Sequence, residues 1–413
     1  MTKKSTTAVR APAQRSSGHK ARIALAFAGG GPLGAIYEIG ALCALEESLP
    51  GLKVNACDHY LGVSAGGFIA AGLANGMTPR QLCASFIEDH ANAENFDPAG
   101  LMRPAWSEWT ARLLRLPGLV GGAAWAWGVQ GKPFTQALER LGAALPTGVF
   151  DNEQIHEQVE RLFSRDGRTN DFRQLRARLT LIATELDTGE AAPFGRPGWD
   201  HVPISRAIQA SSALPGLFPP VAIDGRHFVD GALKKTLHAT VALEEGVDLL
   251  LCLNPLVPFH ADPKAEQQHR IPSLIEGGLP AVMSQTFRSM IHSRLALGLK
   301  HYERAYPDTD IVLIEPDQRD AKLFFANTFS YRQRRDLAEH AYQQTRALLL
   351  ARKVQLQPLL ARHGIHLDMV ALNDPSRRLL KPQPARPALP ALQRLHDTLD
   401  ELQHQLEPQA GKA

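Results

Sequence analysis

The chain has 413 residues, 44% of them hydrophobic and 21% charged, with a formal net charge of +3. That length can bury a large core, as one large domain or two, and the composition is that of an ordinary soluble globular protein. The small net charge gives no reason to expect a nucleic-acid partner. Cys43, Cys57, Cys83 and Cys252 lack C-x-x-C spacing, which argues against a zinc site and a disulfide scaffold and for a reducing, cytoplasmic setting. No apolar run approaches the roughly 18 residues of a membrane span.

Residues 1–21 read as a basic tail, in which Lys3, Lys4, Arg10, Arg15 and Lys20 precede the first acid, Glu38. A solvated tail is the plain reading. Attraction to an anionic membrane, at about 1 kcal/mol per basic residue near the surface, also fits, as does an organellar transit peptide. The next apolar run, Ile23–Ala28, is too short for the apolar core of a signal peptide. Its continuous apolar character suits a strand buried on both faces.

Gly29, Gly30, Gly31 and Gly34 follow at once and open a helix that runs to about Leu49. The spacing matches G-x-G-x-x-G formally, but Pro32 removes an amide donor and no ribose-binding acid ends a second strand. No Lys-Ser/Thr follows, so it is not a Walker loop. Consecutive glycines near a helix N-terminus can instead aim backbone amides at a developing oxyanion.

Tyr60–Val63 reads as a second buried strand, and it leads into Gly62-Val63-Ser64-Ala65-Gly66. This G-x-S-x-G elbow lifts a serine hydroxyl off the end of a sheet, and the Ala65 amide is placed to be a second oxyanion donor. A glycine-rich turn carrying a chance serine is the plainer alternative. Residues from about 91 to 150 interrupt the pattern and hold Trp106, Trp109, Trp125 and Trp127. They form either a helical subdomain with an aromatic core or an apolar cap over a substrate cleft.

Leu179–Thr184 reads as a strand, and Val221–Val229 as a hairpin turning at Asp224-Gly225. The second hairpin strand delivers Asp230 beside Gly231 and Ala232, a good position for a catalytic acid, with a structural turn or cap role as the plainer alternative. His227 lies three residues before Asp230 and so points to the opposite face of an extended strand. His238 falls on the presumed next helix, and both histidines are expected at surface or packing positions. Val247–Leu253 and Ile311–Ile314 read as strands, and Ser284–Tyr302 and Gln333–Lys353 as helices. The alternation indicates an α/β sheet that is largely parallel. A Pro-rich linker (376–391) precedes an amphipathic helix (392–407) whose Leu392, Leu395, Leu399, Leu402 and Leu406 form a short seam. The seam docks on its own domain or drives self-association.

In order and spacing, Gly29–Gly34, Gly62–Gly66, Ala183–Glu190, Ala210–Pro220 and Asp230-Gly231-Ala232 resemble the patatin-like phospholipases, over roughly residues 22 to 255. The resemblance implies a three-layer α/β/α hydrolase domain, here 22–375, with a helical Trp-rich insert and a helical C-terminal region. It also implies a Ser-Asp dyad without a catalytic histidine. Ser64 would be the nucleophile, Asp230 its base, and Gly29, Gly30 and Gly31 the oxyanion hole. No metal or organic cofactor is implied. The substrate class that the resemblance implies is a lipid carboxylic ester; peripheral contact of a cytoplasmic enzyme with anionic membrane is an expectation that rests on the basic tail and the Trp-rich insert. The chain departs from the family at Leu33, often a basic residue, and at Leu233-Lys234-Lys235-Thr236, where Asn and Pro are common. A non-catalytic lipid- or partner-binding protein on the same fold is the rival reading.

Overall fold

The computed structural model describes residues 20–88, 103–129, 142, 144–261, 274–325 and 331–380. The basic tail up to residue 19, parts of the 91–150 insert, and the linker and leucine seam beyond residue 380 lie outside the described residues.

The apolar runs become strands. These are β1 (Ile23–Phe27), β2 (His59–Val63), β3 (Arg178–Glu185), β4 (Ala191–Phe194), β5 (Val221–Ile223), β6 (Arg226–Asp230), β7 (Leu249–Leu253) and β8 (Asp310–Ile314). They make one eight-stranded sheet in the order β5-β6-β3-β2-β1-β7-β8, with β4 also paired to β3. Neighbours from β3 through β8 pair in parallel. The β4–β3, β6–β3 and β5–β6 pairs are antiparallel. The Asp224-Gly225 turn forms as its sequence dictates, with both residues at positive φ (50° and 77°).

Twelve helices occur among the described residues. In the first half they are α1 (Gly31–Ser48), α2 (Ala65–Ala74), α3 (Pro79–Phe86), α4 (Trp106–Gly128), α5 (Glu153–Phe163) and α6 (Ile204–Ser211). The rest are α7 (Thr240–Glu244), α8 (Gly278–Ala305), α9 (Ala321–Phe324), α10 (Tyr331–Ala351), α11 (Lys353–Ala361) and α12 (Met369–Asn373). On one sheet face Ala24, Ala26, Leu61 and Cys252 pack against Leu243 of α7 and Leu295 and Tyr302 of α8. On the other, α2 sits so close to β1 that a methyl group at Gly66 would lie 2.7 Å from the Phe27 Cβ. Farther out, α1 packs on α10. The central strands are apolar on both sides because both sides are covered. Each fully buried Leu25, Phe27 or Tyr60 contributes about 1.5–3 kcal/mol relative to exposure.

The described residues from 274 to 379 belong to this body: β8 extends the sheet from β7, and α10 covers α1. Residues 376–380, expected as the start of a linker, include Leu379, whose amide donates to Glu339 (2.8 Å) and whose carbonyl accepts from Arg80 (3.1 Å). Among the described residues no helix is long and apolar enough to cross a membrane.

One buried group is out of keeping with this core. Glu38 on α1 is fully buried, and neither carboxyl oxygen has a hydrogen-bond partner. The approaching Ala28 amide is committed to the Leu253 carbonyl at 3.0 Å. Burial raises the Glu38 pKa well above the carboxylate range, and Ala28 offsets only part of that. A pKa raised by folding gives stability that is full below the unfolded value and is lost as pH rises through the folded one. Glu38→Gln is therefore expected to flatten the alkaline fall in thermal stability. Melting curves across pH check this, and equal slopes for wild type and variant would contradict it.

Candidate active site

The parallel strands end together, and β6 arrives beside them. The register pairs Phe27 with Gly62, Val63 with Ile182, and Ala183 with Asp230. The ends of β1, β2, β3 and β6 therefore meet where open α/β sheets place their sites.

At the end of β2 the chain turns at Ser64, with φ 54° and ψ −128°, and enters α2. A non-glycine residue held there costs about 1–3 kcal/mol and persists only when its surroundings over-determine it. Two bonds do so. The Ser64 amide donates to Ser211 Oγ at 2.8 Å, and the Ser211 hydroxyl donates to the Ile182 carbonyl at 2.6 Å. Gly62 and Gly66 bracket the turn where β2 and β1 touch α2.

Asp230 closes β6 and faces the elbow. Its amide donates to the Ala213 carbonyl (2.9 Å), its carbonyl accepts from the Thr184 hydroxyl (3.3 Å), and its Oδ1 accepts from the Ala232 amide (2.9 Å). The Ser64 hydroxyl lies near enough to this carboxylate to hold its pKa down in part. Both side chains are buried, Ser64 at 6% and Asp230 at 3% exposure, so the pair is shielded from bulk water. Burial pushes the Asp230 pKa from 3.8 up to about 6, against the opposing pull of the Ser64 hydroxyl and the Ala232 amide. Gly231 lets β6 come this close, since a Cβ there would collide with the Ile182 carbonyl.

The glycine loop lies against the same serine. A Cβ on Gly29 would stand 2.9 Å from the Ser64 Cβ and 3.4 Å from its Oγ. Gly30 caps α1 at φ 147°, a backbone region closed to side-chain-bearing residues. Gly34 anchors the loop through its amide, which donates to the Gly30 carbonyl at 3.0 Å. The amides of Gly29, Gly30, Gly31 and Ala65 donate to no acceptor among the described residues. Four donors thus remain near the N-termini of α1 and α2, with Gly29 against the Ser64 side chain.

The histidines stand apart from this chemistry. His227 is exposed and pairs with Ala222 across the hairpin. His238 is buried, its Nε2 lies 3.4 Å from the Gly231 carbonyl, and burial lowers its pKa to about 4. It precedes α7 in a left-handed turn (φ 46°) and is not on a helix as the sequence suggests.

The family model described as patatin-like phospholipase matches residues 25–243. The chain belongs to the patatin-like phospholipase family. Among solved structures it is similar to VipD from Legionella pneumophila, at 17% identity and TM-score 0.38, over 81% of this chain and 67% of VipD. It is also similar to the type III effector ExoU, at 16% identity and TM-score 0.33, over 81% of this chain and 54% of ExoU. An ExoU–SpcU complex from Pseudomonas aeruginosa matches at 19% identity and TM-score 0.25, over 79% of this chain and 52% of that chain. Family membership supports a lipid hydrolase. The patatin-like match ends before β7 and β8, which complete the sheet.

Of the residues singled out in the sequence, Ser64, Asp230, Gly29, Gly231 and Ala232 come together here, Gly62 and Gly66 seat the elbow, and Gly30 and Gly34 contact each other in the adjoining loop. Sequence reasoning missed Ser211 as a support of the elbow. Its only sequence signal is its place in the Ala210–Pro220 segment.

Proposed function

We propose that this protein is a serine acyl hydrolase that cleaves lipid carboxylic esters through Ser64 and Asp230. The observation that carries the reading is Ser64, held in a left-handed turn and buried near a carboxylate, Asp230, whose pKa burial raises to about 6. An ordinary Asp, with pKa about 3.9, is a weak base at neutral pH. Asp230 is a stronger base and is still mostly ionised at pH 7.

Asp230 takes the proton as Ser64 Oγ attacks the ester carbonyl. The oxyanion meets the amides of Gly29, Gly30 and Gly31, with Ala65 as a further donor. Asp230 then returns the proton to the departing alcohol, which leaves an acyl-enzyme on Ser64. In the second half Asp230 deprotonates water, which attacks the acyl group and frees Ser64. The chemistry is complete without an imidazole, consistent with where His227 and His238 lie.

The test is hydrolysis of a p-nitrophenyl acyl ester by the purified full-length protein. Turnover that rises with acyl-chain length supports a lipid ester as substrate. No turnover, in a protein that binds lipid, favours the non-catalytic reading. Gly29→Ala probes the loop separately. The added methyl group meets Ser64 at 2.9 Å, so kcat is expected to fall about 10²-fold, as when an oxyanion donor is displaced. An unchanged kcat would remove the Gly29 loop from the mechanism.

A further inference from the structure

On α4, Trp106, Trp109, Leu113, Leu116 and Val120 alternate spacings of three and four and share one helix face. A buried aromatic core is one reading of the Trp-rich sequence, yet these side chains are exposed: Trp106 by 68%, Leu113 by 67% and Val120 by 49%. Arg112 flanks this face and Arg115 lies farther round the helix on the same side, Leu114 and Trp125 are exposed on the side opposite the face, and no acid follows Glu108 within the helix. The Glu108 carboxylate is engaged by Thr147 and Arg112. The face is thus apolar and aromatic, and its flanking charge beyond the first turn is cationic.

This helix is tied to the Asp230 end of β6 through a relay of hydrogen bonds. The Ala105 amide and the Trp109 indole donate to the Val149 carbonyl, and the Val149 amide donates to the Leu217 carbonyl. The loop carrying Leu217 begins at Ala213, whose carbonyl holds the Asp230 amide. A second helix repeats the pattern at the same end of the sheet. Ile291 and Phe287 of α8 pack with Val63, Ile182 and Ala232, the neighbours of Ser64 and Asp230. Leu279, Met283 and Met290 of α8 remain exposed.

We propose that the Trp106–Val120 face of α4 is an interfacial helix that lies in the surface of a phospholipid bilayer and brings the catalytic end of the sheet to its substrate. The proposal rests on the reading of the site as a lipid-ester hydrolase. Tryptophan favours the boundary between water and acyl chains, and arginines beside the apolar face suit anionic headgroups. The helix contains Pro117 and two arginines and is not apolar enough to cross a membrane, so it lies in the interface and does not span it.

The test uses full-length Ser64→Ala protein, so that binding is measured without turnover and its outcome is independent of the esterase assay. Sedimentation with phosphatidylcholine–phosphatidylglycerol vesicles is compared with that of the same protein carrying Leu113→Glu and Val120→Glu. Both substituted side chains are exposed, so thermal unfolding should be unchanged. Vesicle affinity should fall about tenfold or more, because the face loses apolar contact and gains negative charge. Equal affinity for the two proteins, or no sedimentation of Ser64→Ala protein at any lipid concentration, would overturn the proposal. So would unchanged vesicle binding with an altered oligomeric state in size-exclusion chromatography, since the face would then serve a second copy of this chain.

Discussion

Ser64→Ala is expected to lower kcat/KM for a p-nitrophenyl acyl ester by about 10⁴-fold or more while leaving the fold intact. The size follows from the lack of a substitute. The other hydroxyl at the elbow, Ser211, accepts from the Ser64 amide and donates to the Ile182 carbonyl, so its hydrogen is committed. Residual activity would reflect the amide donors of the glycine loop acting on water-borne attack. The fold should tolerate the change, because alanine keeps the backbone amide that Ser211 holds. A loss of less than about tenfold, read in the same assay, would mean that the hydrolysis occurs elsewhere on the protein.

Asp230→Asn should separate activity from stability. Asparagine fills the same space and can still accept from the Ala232 amide, but it cannot take a proton from Ser64. A loss of about 10³-fold in kcat is expected, within the range for removing a general base. Stability should move the other way. The folded pKa of about 6 exceeds the ordinary 3.8, so this group's contribution is full below 3.8 and is lost as pH rises through 6. Holding the buried carboxylate ionised above pH 7 costs about 3 kcal/mol. Urea denaturation at pH 8 should therefore show the variant to be more stable than wild type, with a gain vanishing toward pH 4. The same pKa sets the rate profile. Wild-type kcat/KM should rise with pH and be half-maximal near 6, where an unperturbed aspartate would give about 4. An Asp230→Asn protein that is both less stable at pH 8 and fully active would contradict both halves of the argument.

Legibility in the sequence tracked how strongly a residue's surroundings were forced by pattern. The central strands were readable because burial on both faces demands unbroken apolar runs, and the register then placed Ser64 beside Asp230 without further information. β4 was not readable. Ala191–Phe194 is short, contains Pro193, and exists because β3 offers it a partner. Ser211 and Glu38 were invisible as functional or strained groups, because their roles depend on contacts 147 residues away for Ser211 and on the absence of any partner for Glu38. Counting tryptophans did not settle whether α4 buries its rings. That question turned on the side chains that the rest of the fold left uncovered.

The most direct test of a Ser64 nucleophile driven by Asp230 is labelling with a fluorophosphonate, followed by peptide mapping. The wild-type protein should carry the adduct on Ser64, Ser64→Ala should carry none, and Asp230→Asn should label about 10³-fold more slowly. An adduct on any other residue, or undiminished labelling of Ser64→Ala, would contradict the account.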